Sequence, residues 1–191
     1  RGEYIREILE QIYKTLPPEG KYSDYAFTLN DLAYLYYSEG GDYSKAEPLL
    51  LQVLTIIKTL PPEGKHPHYA TALSNLAYLY NTMGNYNKAE PLYLQALEIR
   101  KAIPPEGKHP DYASTLNSLA NLYNYTGNYN KAEPLYLQAL EIIKAIPPEG
   151  KHPDYAIILD NLADLYKSMG DYSKAEPLYL QALEIRKAIP P

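Results

Sequence analysis

Residues 85–99 read Asn-Tyr-Asn-Lys-Ala-Glu-Pro-Leu-Tyr-Leu-Gln-Ala-Leu-Glu-Ile, and residues 128–142 repeat that string letter for letter. A near copy occupies 171–185 and a looser one 42–56. A chain that repeats at a fixed interval folds as a stack of like units, each burying its oily side against the next. Proline pairs mark the interval. Pro17-Pro18, Pro61-Pro62, Pro104-Pro105, Pro147-Pro148 and Pro190-Pro191 stand 44, 43, 43 and 43 residues apart. The one odd step has a visible cause, since Gly40-Gly41 stands where later units have the single glycines Gly84, Gly127 and Gly170. An extra residue in a turn is tolerated better than one in an element.

Each unit reads as two helices. In the third, His109-Pro110-Asp111 marks a helix start, because proline suits the first helical position and an acid there meets the positive dipole end. Leu116, Leu119, Ala120 and Tyr123 then recur at i, i+3, i+4 and i+7, one apolar stripe. Gly127 is a stop signal and Asn128 a cap for the next helix. That helix buries Tyr129, Ala132, Leu135, Tyr136, Ala139, Leu140 and Ile143, and ends at Ile146 before two prolines. The template predicts first helices over Tyr22–Ser38, His66–Met83, His109–Thr126 and His152–Met169. Second helices follow over Tyr43–Leu60, Tyr86–Ile103, Tyr129–Ile146 and Tyr172–Ile189. With residues 1–16 as the second helix of a partial repeat, nine helices are expected in one all-α array, 1–191, whose repeats span 22–60, 66–103, 109–146 and 152–189. Pro48, Pro91, Pro134 and Pro177 fall inside predicted helices and imply a tolerated bend near each N-terminal end.

Composition narrows the function. The net charge of −5 argues against a surface that neutralises phosphates, so nucleic acid is not an expected partner. No stretch is long and apolar enough to span a bilayer, and no signal peptide is legible, so a soluble, cytoplasmic protein is expected. With no cysteine there is no disulfide or thiolate site. The 22 tyrosines stand against one phenylalanine and no tryptophan, which suits thin layers where most helices are apolar on one side and wet on the other.

The spacing Leu116-x2-Leu119-Ala120-x2-Tyr123, followed by Ala132-x3-Tyr136, resembles the tetratricopeptide repeat. His109-Pro110-Asp111 with Ala132-Glu133-Pro134-Leu135-Tyr136 is similar, more narrowly, to the kinesin-light-chain type of that repeat. The resemblance covers essentially the whole chain. It implies a right-handed superhelical solenoid of antiparallel helix pairs that binds protein or peptide in a concave groove lined by first helices. Leu116 replaces the family's large aromatic and Ala120 its glycine. The repeat is also about nine residues longer than the usual 34.

Variation between units points to where a partner would be read. Between the unit starting at His66 and that at His109, 31 of 40 positions agree, and eight of the nine differences lie in the first helix. Joints must stay alike along an array, whereas a recognition face need not. The varying positions align in four sets: Asn30, Tyr34 and Tyr37; Ser74, Tyr78 and Asn81; Asn117, Asn121 and Asn124; Asp160, Asp164 and Lys167. These form a candidate peptide-binding ladder. Asparagine both donates and accepts, so it can hold an extended backbone without reading side chains. Tyrosine supplies stacking area. No lysine or arginine cluster is present to clamp a carboxylate, so a ligand that is neutral or has a basic end is favoured.

Other chemistry is sparse. His66, His109 and His152 precede prolines a whole repeat apart and suit capping rather than a shared metal. No nucleophile motif or phosphate-cradling glycine loop occurs. A non-enzymatic protein-binding scaffold without cofactor or metal is expected. The alternative is an architectural spacer, or a segment that self-associates end to end, since the last helix carries no polar capping face.

Overall fold

The computed structural model describes residues 21–39, 41–58, 67–103, 109–146 and 152–188. Its regular structure there is entirely helical: α1 (Lys21–Glu39), α2 (Tyr43–Lys58), α3 (Pro67–Thr82), α4 (Tyr86–Lys101), α5 (Pro110–Tyr125), α6 (Tyr129–Lys144), α7 (Pro153–Ser168) and α8 (Tyr172–Ala188). The helix expected over 1–16 lies outside the described residues. The chain divides into two compact units, Arg1–Leu92 and Tyr93–Pro191.

The turns between helices are set by local chemistry. Gly127 adopts a φ of 74°, a left-handed conformation that glycine enters without a Cβ penalty. Asn128 N–H then reaches back to the Tyr123 carbonyl at 2.7 Å, and Gly127 N–H to Asn124 at 3.0 Å. Those two bonds close the end of α5 and reverse the chain within three residues. Helix starts use two devices. His109 and His152 each accept a bond from the N–H two residues on, that of Asp111 and of Asp154, through Nδ1 at 3.2 Å. Asp42 and Asp171 accept the amides of Lys45 and Lys174 instead. Asn128 holds the cap position of α6, but its side chain bonds to Thr126 Oγ1 and caps nothing.

The four internal prolines do not break their helices. Pro48, Pro91, Pro134 and Pro177 are all exposed, and so are Ser44, Asn87, Asn130 and Ser173, four residues earlier. The carbonyl each proline leaves without a helical donor therefore lies on the wet side, where water satisfies it.

In the first unit, α1 packs on α2 and α2 on α3. Leu29, Leu32, Leu50, Val53, Leu73 and Leu76 are buried between them. In the second unit, α5 packs on α6, α6 on α7, α7 on α8, and α5 also reaches α7. Leu116, Leu119, Tyr136, Ile143, Ile158 and Leu159 are almost wholly buried there. Each such side chain contributes about 1.5–3 kcal/mol by leaving water. Tyr129 and Leu135, expected in the core, are only half-buried.

Candidate functional site

First helices reach their neighbours through polar side chains at fixed register. In the first unit Asn75 Nδ2 donates to Asn30 Oδ1 at 2.5 Å, joining α3 to α1. In the second, Asn161 Nδ2 donates to Asn117 Oδ1 at 2.9 Å, joining α7 to α5. Asn30 and Asn117 were candidate ladder residues from spacing; Asn75 and Asn161 were not. A signal for them exists in the chain. Asn30 and Asn75, Ser74 and Ser118, Asn117 and Asn161 form successive pairs one repeat and one residue apart, and each pair matches in kind.

A second polar layer faces the second helices. Tyr136 on α6 is wholly buried, and its hydroxyl donates to Asn121 Oδ1 at 2.5 Å. Burial is the main cause pushing its phenol upward, opposed by a hydrogen bond from the Asn124 side chain. One repeat on, Tyr179 donates to Asp164 Oδ1 at 2.6 Å. Burial and then that carboxylate push the Tyr179 phenol up to about 12. Asp160 is ion-paired with Arg186 of α8.

These contacts enclose a pocket of about 260 Å³ lined by Asn121, Asn124, Tyr125, Asn161, Asp164, Lys167 and Ser168. Four candidates of the second unit, Asn121, Asn124, Asp164 and Lys167, thus come together in one place, while Asn117 and Asp160 are engaged beside it. In the first unit Tyr34, Tyr37 and Tyr78 assemble into an aromatic cluster. Ring centroids lie 5.2 Å apart for Tyr34 and Tyr37 and 5.9 Å for Tyr37 and Tyr78. Tyr34 is 58% exposed and Tyr78 49%, so two faces of the cluster are open to solvent. Burial among these rings pushes the Tyr37 phenol up to about 12. Ser74 bonds locally to the Ala70 carbonyl, and the Oδ1 of Asn81 is buried without a hydrogen-bond partner.

The joints use a different set of side chains. Tyr80 donates to Glu47 at 2.7 Å and Tyr166 to Glu133 at 2.6 Å. Lys88 and Lys174 lie over the Tyr80 and Tyr166 rings at 4.8 and 4.9 Å from the centroids. Each tyrosine therefore offers its edge to a carboxylate and its face to a cation, and the repeated Lys-Ala-Glu string supplies both charges. The reach of Tyr80 and Tyr166 to these partners was not legible from spacing.

Among the described residues no group of three or more His, Cys, Asp or Glu could hold a metal. No helix there is long and apolar enough to cross a membrane.

The tetratricopeptide repeat family model matches residues 24–102, 68–145 and 111–188, which together span most of the chain. Among solved structures, the chain is similar to BtubC (BKLC) from P. vanneervenii, with a TM-score of 0.82 at 24% identity over 98% of this chain and 74% of that one. It is also similar to a putative kinesin light chain with nearly identical TPR-like repeats from Podosopora anserina, with a TM-score of 0.71 at 28% identity over 97% and 87%. A third, MamA, gives 0.62 at 17% identity over 94% and 85%. No sequence among curated proteins matches the chain.

Proposed function

The chain belongs to the tetratricopeptide repeat family, and we propose that it is a non-enzymatic scaffold whose first-helix faces bind an extended, neutral peptide. The family is generally one of protein-interaction modules; the use of these faces is the reading proposed here. The observation that carries it is the division of labour among polar groups. Tyr80, Glu47 and Lys88 are spent on a joint, whereas Tyr34 and Tyr78 flank Tyr37 and keep about half of their surface open to solvent. In the second unit the same face presents an amide-lined pocket instead of a packed joint. Asp160 is answered by Arg186, and Asp164 shares its pocket with Lys167, which favours a neutral ligand over one with a basic end.

Selection of a phage-displayed library of random dodecapeptides on the 191-residue chain tests the reading. At least one peptide is expected to enrich, and Tyr34→Ala with Tyr78→Ala should weaken its binding about tenfold at an unchanged thermal midpoint. No enrichment over an immobilised control protein would sink the proposal. A second reading, self-association, is favoured by one observation: α8 leaves Tyr172, Leu180 and Leu183 exposed.

A further inference from the structure

Asparagine side chains are two-ended, and which end faces a ligand depends on what holds the other. In the pocket between α5 and α7 each amide has one end already engaged. The Oδ1 of Asn121 accepts the Tyr136 hydroxyl, so its Nδ2 is the end left for the pocket. Asn124 is also bonded to the Tyr136 oxygen, whose one hydrogen is already given to Asn121, so Asn124 is the donor there and its carbonyl is left. The Nδ2 of Asn161 is engaged by Asn117, leaving its carbonyl as well.

The direction of the Tyr136 bond has an internal control. Position 164 is the repeat equivalent of 121 and carries aspartate, whose carboxylate can only accept. Its partner Tyr179 stands at the same spacing as Tyr136 from Asn121, and donates. Both tyrosines therefore send their hydroxyl hydrogen forward into the first helix.

We propose that this pocket takes a neutral amide group, carbonyl toward Asn121 and N–H toward Asn124 and Asn161, and that Tyr136 is the positioning residue that sets this polarity. The inference rests on the first-helix faces being the binding surface. A carboxylate would meet the carbonyls of Asn124 and Asn161 and the Asp164 carboxylate; an ammonium would meet the Asn121 donor and Lys167. An amide is answered at both ends.

The test is a titration of the ¹⁵N-labelled chain with N-methylacetamide, and separately with acetate and methylammonium, followed by NMR at Asn121, Asn124 and Asn161. N-methylacetamide should shift these signals, and the two ions should shift them several-fold less. Tyr136→Phe should reduce the amide response about three- to tenfold, since one hydrogen-bonded hydroxyl is lost. Asn121→Asp keeps an acceptor for Tyr136 but removes the donor, so the response should vanish at neutral pH. It should return, relative to the parent chain at the same pH, once the introduced carboxyl is protonated and its O–H donates. The titratable groups facing it are Tyr125 on α5, Tyr136 on α6, and Asp164 and Lys167 on α7, and the parent chain controls for them. An ion that shifts the signals as strongly as the amide would overturn the proposal. So would an Asn121→Asp response equal to the parent's at neutral pH. Failure of the peptide selection would sink the scaffold reading alone, because these small probes report on the pocket directly.

Discussion

Tyr80 and Tyr166 occupy equivalent places two repeats apart, and burial followed by a glutamate partner pushes each phenol up to about 12. A phenol whose folded value lies above the ordinary 10.0 adds stability that is whole below pH 10 and is lost as pH rises through 12. The thermal midpoint should therefore fall between those values, and Tyr166→Phe should flatten the fall; an equal slope in the variant would remove this account. Arg100 is the other informative residue. It is 7% exposed, and its guanidinium donates to the Asp111 carbonyl at 3.0 Å and to the hydroxyl of Thr115. One repeat on, both places hold isoleucine, Ile143 and Ile158, and both are buried. The joint thus exists in a polar and an apolar version. Thr115→Ala should cost about 1–2 kcal/mol in urea unfolding, because a buried cation loses an acceptor. Arg100→Ile with Thr115→Ile should recover it, since an apolar pair of matched shape replaces a buried polar one at little cost. A double variant no better than the single would show that the site cannot repack.

At the scale of the helix, starts and stops were legible because they depend on neighbours a few residues away. His109 and His152 cap as expected, and the glycines end their helices. Gly127→Ala should cost about 1–2 kcal/mol, the strain of a left-handed conformation carried by a Cβ. Nothing lies within 4 Å of the added atom, so a crystal structure of the variant should show no displaced neighbour. A cost below a few tenths would mean the turn can relax. Asn128 is the place where local reasoning failed. Asp171 in the same position caps through its carboxylate, which Ser173 and then Lys174 hold below the usual range. The amide of Asn128 is drawn instead to Thr126, a hydroxyl that Met169 cannot offer in the next repeat.

At the scale of the molecule, α8 leaves Leu180 and Leu183 exposed. If Leu180 and Leu183 mediate self-association, mass by light scattering should rise with concentration, and Leu180→Glu with Leu183→Glu should return it to that of one chain. A constant single-chain mass would remove that reading. The repeat interval, the helix pairs and the oily stripes are properties of spacing along one helix, and the sequence by itself determined them. The division into faces that vary and faces that do not was also legible, since the chain holds four versions of one unit. Which polar groups meet was decided only by tertiary structure. Asn75 reaching Asn30, Tyr136 reaching Asn121, and Asp160 being claimed by Arg186 depend on the axial offset and rotation between packed helices. A shift of a fraction of a turn would pair each with a different neighbour, and no spacing within a helix records that shift.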